Sequence, residues 1–168
     1  MYDVVIIGAG PGGLSAGLYA GRSRLKTLIL EKSSIGGQIG VTDSIENYPG
    51  SLIDEKETGT TLTERMRKQA ERFGCEIKKV GVKDIVLSGN PKIITLEDGE
   101  EIQTKGVIIA TGATPRKLGV PGEKEFTGKG VSYCATCDAD FFDDFEVFVV
   151  GGGNTAVEEG VYLAKFAR

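Results

Sequence analysis

The spacing of apolar positions along this chain changes several times, and each change marks a new element. Residues 3–7, apolar without a break from Val4 onward, form a run suited to a strand buried on both faces. Glycines follow at once, and then Leu14, Leu18 and Tyr19 recur at helix-face spacing. "TLILEK" (27–32) predicts a second strand, so the first thirty-odd residues read as a βαβ unit. Glycine- and serine-rich loops occupy 33–60, including "SSIGGQIG" and "ENYPG". A second helix is predicted from about Thr61 to Phe73, with Leu62, Met66, Ala70 and Phe73 on one face and Gly74 as its stop.

From Glu76 to Thr104 the period shortens to two. "EIKKVGVKDIVLS", "KIITLED" and "EEIQT" are predicted strands separated by the turn signals "SGNP" and "EDGE", an antiparallel meander of about three strands. "KGVIIATGA" (105–113) is a further buried strand that ends in a glycine turn. The segment "TPRKLGVPGEKEFTGKG" carries Pro115, Pro121 and several glycines, and a domain boundary is expected near 115–122.

The last part of the chain repeats the first. At an offset of 143 positions "DVVIIGAGPGGLSAGLYA" lies over "EVFVVGGGNTAVEEGVYLA". Gly8 falls on Gly151, Gly10 on Gly153, Gly17 on Gly160 and Tyr19 on Tyr162. A second βαβ start is therefore expected, with "EVFVV" as its strand. Its helix reaches Arg168 with no returning strand behind it.

Composition excludes several classes. A net charge of −4, spread along the chain, leaves no basic footprint for nucleic acid or an anionic membrane. The start lacks the basic and apolar regions of a secretory signal, and no apolar run approaches membrane-spanning length, so a cytoplasmic protein is expected. The chain has no histidine, so a Ser/His/Asp triad is ruled out and any acid or base must be a carboxylate, Lys, Tyr or Cys.

Gly8, Gly10 and Gly13 form G-x-G-x-x-G directly after a predicted strand and before a predicted helix. The first glycine permits the tight turn, the second lets the backbone approach a pyrophosphate, and the third lets helix and strand pack closely. Glu31, at the end of the second strand, is the acid expected to bond a ribose hydroxyl. Gly151, Gly153 and Ala156 give the G-x-G-x-x-A variant. The residue that would choose between NAD and NADP there would lie beyond position 168. Two such turns suggest two different dinucleotides, the arrangement of a flavoprotein reductase.

Cys134 and Cys137 stand three positions apart with Asp138 directly behind. A structural zinc site needs about four N or S ligands; Cys75 is the one other cysteine, so no metal site is expected within a single chain. Covalent haem attachment would need His where Asp138 stands. A short loop of packed thiols and a redox pair remain, and the redox reading fits best, because C-x-x-C closes a small disulfide ring with little backbone movement. In a chain without histidine Asp138 is the natural proton donor to a departing thiolate, and it could equally serve as a helix cap. Cys75 reads as a buried packing residue.

"GAGPGG" with Glu31, "CATCD", and "GGGNTAVEE" some fourteen residues later together resemble the bacterial-type, low-molecular-weight thioredoxin reductases. "GGQ" (36–38), "ENYPG" (46–50) and "ATGATPR" (110–116) match that family's flavin-side loops, and the resemblance runs over essentially the whole chain. It implies an α/β fold: a Rossmann-like FAD-binding domain with an antiparallel β-meander over 1–117, then the start of a Rossmann-like NAD(P)H and redox-disulfide domain over 118–168. It implies FAD at Gly8, Gly10, Pro11, Gly13, Glu31, Gly37, Gln38, Asn47, Ala110, Thr111 and Gly112. NADPH, or NADH, would sit at Gly151, Gly153, Asn154 and Thr155. Cys137 would face the flavin, Cys134 would exchange with thioredoxin, and Asp138 would give the proton.

Electrons would pass from NAD(P)H through FAD and the disulfide to thioredoxin, in a homodimer whose domains swing about the 115–122 linker. Members of this family are roughly twice as long, so the resemblance implies an N-terminal portion that lacks the FAD domain's return segment and would not turn over NADPH unaided. A ferredoxin-dependent flavin thioredoxin reductase and a catalytically idle fragment are the rival readings. "GGGNTA" counts against the first, and thiol counting before and after a mild reductant separates the second.

Overall fold

The computed structural model describes residues 1–42, 44–51 and 56–168. Positions 43 and 52–55 of the predicted 33–60 loop lie outside the described residues. The chain divides into two compact units, Met1–Thr114 and Pro115–Arg168.

In the first unit the apolar run becomes β1 (Tyr2–Ile7), flanked in parallel by β2 (Thr27–Glu31) and by the second half of β6 (Glu101–Ile109). The helix α1 (Pro11–Arg22) joins β1 to β2. Beyond β2 comes β3 (Glu76–Lys79), also parallel, reached through α2 (Gly59–Arg72). On the other side β6 pairs antiparallel with β5 (Lys92–Leu96), and β5 with β4 (Val82–Val86), giving the order β3-β2-β1-β6-β5-β4.

Two residues, Val80 and Gly81, separate β3 from β4, although these strands stand at opposite ends of that order. Such a link spans at most about 11 Å between flanking Cα atoms, whereas a flat sheet would hold the two edges some 24 Å apart. The sheet is therefore folded over on itself. The fold is at Thr104, which pairs with both Tyr2 of β1 and Lys92 of β5 and whose hydroxyl donates to the Gly106 carbonyl.

Alternate residues of the parallel strands then face two different cores. Val5, Leu28 and Leu30 pack against Ile94, Leu96 and Ile102 of the meander. Ile6 and Ile29 pack against Leu14 of α1, Ala70 of α2 and Cys75. The result is three layers: helices, parallel strands, meander. Both faces of β1 and β2 are covered, as their unbroken apolar runs require.

The α/β class and the βαβ start agree with the sequence, and four details differ. "EIKK" does not join the meander; it adds to the parallel strands, because the break at Val80–Gly81 sends the chain from one layer to the other. "EEIQT" and "KGVII" are one strand, with the layer change in its middle and no chain break. Tyr19 is 69% exposed. The buried face of α1 is instead Gly13, Leu14, Gly17, Ala20 and Gly21; Leu14 fills the core, while Gly17 marks where the helix comes closest to the sheet, since a Cβ there would lie 2.7 Å from Ile29 Cδ1.

The fourth difference lies in the second unit. Its elements are the short helices α3 (Glu123–Phe126) and α4 (Ala135–Asp138), a 3-10 turn over Ala139–Phe142, and α5 (Asn154–Leu163). "EVFVV" forms no strand, and Phe148 is 81% exposed. A strand exists through its ladder partners, and none of the described residues pairs with this segment.

Candidate functional site

The turn between β1 and α1 is built by glycine geometry. Gly8 has φ +106 and is anchored through its N–H to the Leu30 carbonyl at 2.8 Å. A Cβ there would overlap the Ala110 carbonyl, which follows β6. Gly10 caps α1 in extended conformation, and Pro11 opens the helix, where its missing N–H costs nothing. The first intrahelical bond runs from Leu14 N–H to the Gly10 carbonyl at 2.9 Å. The Gly12 and Gly13 amides at the positive end of a 12-residue helix thus lack an intrahelical acceptor.

Three further segments converge on this turn. The Glu31 carboxylate accepts from Ala9 N–H and from Ser33 N–H, each at 2.7 Å, which fixes the end of β2 against the glycines. Gly36 and Gly37, both with positive φ, bring the 36–38 loop up: Gly36 N–H donates to the Ala9 carbonyl at 2.8 Å, and a Cβ on Gly37 would lie 3.2 Å from Gly10 Cα. The Gln38 side-chain amide donates to the Ala113 carbonyl, tying that loop to the 110–114 stretch, where Gly112 also has positive φ. Gly8, Gly10, Pro11, Gly13, Glu31, Gly37, Gln38, Ala110, Thr111 and Gly112 therefore lie around one backbone-lined rim. Asn47 is exposed in the 44–51 loop, and among the described residues no hydrogen bond ties it to that rim.

A bare glycine rim, unpaired amides at a helix N-terminus and a carboxylate at the next strand end suit a dinucleotide: pyrophosphate beside the amides, ribose hydroxyls beside Glu31. The residues present fit FAD.

The second turn copies the first. Gly151 has φ +141, Gly153 caps in extended conformation, and α5 starts at Asn154, 143 positions after Pro11. Asn154 and Thr155 occupy its exposed first turn. Ala156 replaces the third glycine, and its Cβ lies 3.1 Å from where a Cβ on Gly151 would stand, a tight fit that a glycine at 151 leaves open.

Cys134 and Cys137 form a disulfide at the start of α4, which packs against α5. The N–H groups of Cys137 and Asp138 both donate to the Cys134 carbonyl at 3.2 Å. Cys137 is exposed and Cys134 half-buried, with its Sγ 3.5 Å from Thr136 Oγ1. Ser132 lies between chain and carboxylate: its hydroxyl receives the Cys134 N–H at 3.1 Å and donates to Asp138 Oδ2. Asp138 is thus beside the pair, held by a serine that sequence reasoning did not single out.

Sequence reasoning also passed over Glu123. Its side chain is 7% exposed, and it accepts three hydrogen bonds: Leu118 N–H at 2.9 Å, Gly119 N–H at 2.7 Å and Tyr133 OH at 2.7 Å. The Tyr133 hydroxyl above all, then the Leu118 amide, hold its carboxyl below the usual carboxylate range. Lys117 Nζ sits 3.9 Å over the Tyr133 ring. A carboxylate in a linker-like run of glycines and charges gives no periodic signal, so only the fold reveals it.

Cys75 is 4% exposed, and burial pushes its thiol up to about 11. Among the described residues no group of three or more His, Cys, Asp or Glu is placed to hold a metal ion, and no helix is long and apolar enough to cross a membrane.

The sequence profile of the pyridine nucleotide-disulphide oxidoreductase family matches residues 2–168. A thioredoxin reductase of Peptoclostridium acidaminophilum is 56% identical over 168 residues, covering 100% of this chain and 52% of that protein. A thioredoxin reductase of Bacillus subtilis is 47% identical over 167 residues, 99% of this chain and 52% of its own length. The crystal structure of thioredoxin reductase from Streptococcus pyogenes superposes with a TM-score of 0.91 at 48% identity, over 99% of this chain and 53% of that one. The chain spans about half the length of the curated relatives it matches.

Proposed function

Because the chain belongs to the pyridine nucleotide-disulphide oxidoreductase family, we propose that it is the flavin- and disulfide-bearing part of a thioredoxin reductase. The reading assigns 1–117 to FAD and 118–168 to the redox disulfide and the start of an NAD(P)H site. NADPH turnover is proposed for a protein of the relatives' full length. Thioredoxin as the partner, a homodimer and a cytoplasmic compartment belong to the same reading. The observation that carries it is the closed Cys134–Cys137 disulfide with Asp138 beside it.

The Gly8–Gly13 turn, Glu31, Gly37, Gln38 and the 110–112 stretch would hold FAD, which would supply two-electron redox chemistry between a nicotinamide and the disulfide. The protein's own part is thiol chemistry. Two electrons and two protons open the Cys134–Cys137 bond. The Cys134 thiolate then attacks the disulfide of oxidised thioredoxin, forming a mixed disulfide and expelling one thioredoxin thiolate. Cys137 attacks Cys134 Sγ in that mixed disulfide, releases the second thiolate and closes the pair again. Asp138 supplies a proton to a departing thiolate, and Ser132 orients its carboxyl through the hydrogen bond to Oδ2.

The test is to reduce the protein, remove the reductant and mix it with oxidised thioredoxin. Cys137→Ser should accumulate a mixed disulfide through Cys134, and Cys134→Ser should not. Absence of a mixed disulfide with Cys137→Ser, together with no loss of thioredoxin disulfide in the wild type, would sink the reading and leave an idle loop.

A further inference from the structure

Tyr133 and Ser132 directly precede Cys134, and both are tethered. Ser132 Oγ accepts the Cys134 N–H. Tyr133 is held from two sides, by its hydroxyl bond to Glu123 Oε1 at 2.7 Å and by Lys117 Nζ over its ring at 3.9 Å. Glu123 is in turn fixed to the backbone of the preceding segment, through Leu118 N–H and Gly119 N–H, and α3 is closed behind it by Thr127 Oγ1 donating to the Glu123 carbonyl at 2.7 Å. A buried carboxylate that receives three donors fixes its surroundings strongly, because each bond to an ionised group exceeds a neutral one. The chain between Gly119 and Tyr133 is thus closed into a loop by one side chain, and Cys134 begins where that loop ends.

We propose that Glu123 is a positioning residue for the redox pair: acting through Tyr133, it holds the Cys134 backbone where its sulfur meets that of Cys137, and so favours the disulfide over the dithiol. Effective concentration sets the balance between disulfide and dithiol. Cys134 and Cys137 rejoin more readily the fewer conformations Cys134 can visit when the bond is open. The tether is formed in the disulfide state, and its loss frees the residue adjoining one of the two sulfurs. The inference rests on the reading of this pair as a redox couple.

The test uses the whole chain and the glutathione couple, with no flavin, nicotinamide or thioredoxin. One protein disulfide and two glutathione thiols give one dithiol and one glutathione disulfide; the two glutathione protons end on Cys134 and Cys137. The protein is equilibrated anaerobically across glutathione ratios, alkylated, and its open fraction at the pair measured by mass. Tyr133→Phe removes only the hydroxyl and keeps the ring beneath Lys117. Glu123→Gln leaves one acceptor oxygen for three donors. Each should shift the equilibrium constant towards the dithiol by about threefold to tenfold, and the double variant should shift it no further than the larger single change, since both break one tether.

A brace that merely supports the unit would lower the urea midpoint of oxidised and reduced protein alike and leave the redox constant unmoved. That result with either variant overturns the proposal, as does a shift towards the disulfide or two shifts that add. Failure to exchange with thioredoxin would count against the functional reading alone, because the glutathione equilibrium does not involve it.

Discussion

A side chain at Gly13 would run into the carbonyl oxygen of Gly8, the first glycine of the same turn. The contact is with backbone, so nothing flexible can yield. Gly13→Ala is expected to destabilise the chain by about 3 kcal/mol, from overpacking against main chain. Gly12→Ala is the control: a Cβ there meets nothing within 4 Å, and helix propensity alone should raise stability by about 0.5–1 kcal/mol. Urea midpoints of the two variants should move in opposite directions; equal shifts would refute the reading of this turn.

The Glu31 carboxylate bridges Ala9 and Ser33 by their amides. Ala9 is fully buried, so Glu31→Ala should leave its N–H without an acceptor, at a cost of about 1–3 kcal/mol. The same variant should weaken FAD retention, read as flavin absorbance after gel filtration. A variant that is destabilised yet keeps full flavin would place the carboxylate with the fold and not with the ribose.

Cys75 combines near-complete burial with a thiol pushed up to about 11 from an ordinary 9.0, first by desolvation and then by the charges of Glu76 and Glu71. At neutral pH that leaves about a hundredfold less thiolate than an ordinary cysteine. After mild reduction, timed alkylation should therefore find two fast thiols, Cys134 and Cys137, and one slow. Labelling of Cys75 at the rate of the pair would contradict its place in the core. Between the ordinary thiol range and about 11 the unfolded chain loses this proton and the folded chain keeps it, so stability falls as pH rises through that window.

Glu123 runs the other way. Its carboxyl is held low by the Tyr133 hydroxyl first and the Leu118 amide next, with Lys117 nearby adding to the effect. A depressed carboxyl contributes stability that is complete above the unfolded range, about 4.3, and lost as pH falls through the folded value. Wild type and Glu123→Gln should differ most in urea midpoint near neutral pH and converge in acid. A gap that stays constant down to acid pH would show that the carboxylate's charge is not what the site uses.

The first strand, its glycine turn, the helix behind it and the acid at the end of β2 were all legible in sequence, because each depends on local rules: a buried run, a tight turn, a cap. The cysteine pair was legible for the same reason. The 76–109 region was legible in part: the antiparallel meander of β4, β5 and β6 was, but the place of "EIKK" was not, since alternation by two reports that a residue has a covered and an open side but not which strand covers it. "EIKK" and "VKDIV" carry the same period and lie in different layers. "EVFVV" was misread because apolar β-branched composition marks a segment that could pair, and pairing needs a neighbour. Ser132 and Glu123 escaped because their partners, Asp138 six residues on and Tyr133 ten residues on, are brought to them by irregular loop geometry that follows no helix or strand period.

Thr104 is the residue where the sheet folds over, shared between Tyr2 and Lys92. Its pairing with Tyr2 joins positions roughly a hundred residues apart, a non-local contact of the kind that slows folding. During synthesis at about 5–20 residues per second, β1 leaves the ribosome on the order of ten seconds before the partner for its second edge exists. For that interval Val4–Ile7 has β2 on one side and open backbone groups on the other. Translation speed across the meander thus sets how long a nascent chain carries an unpaired apolar edge.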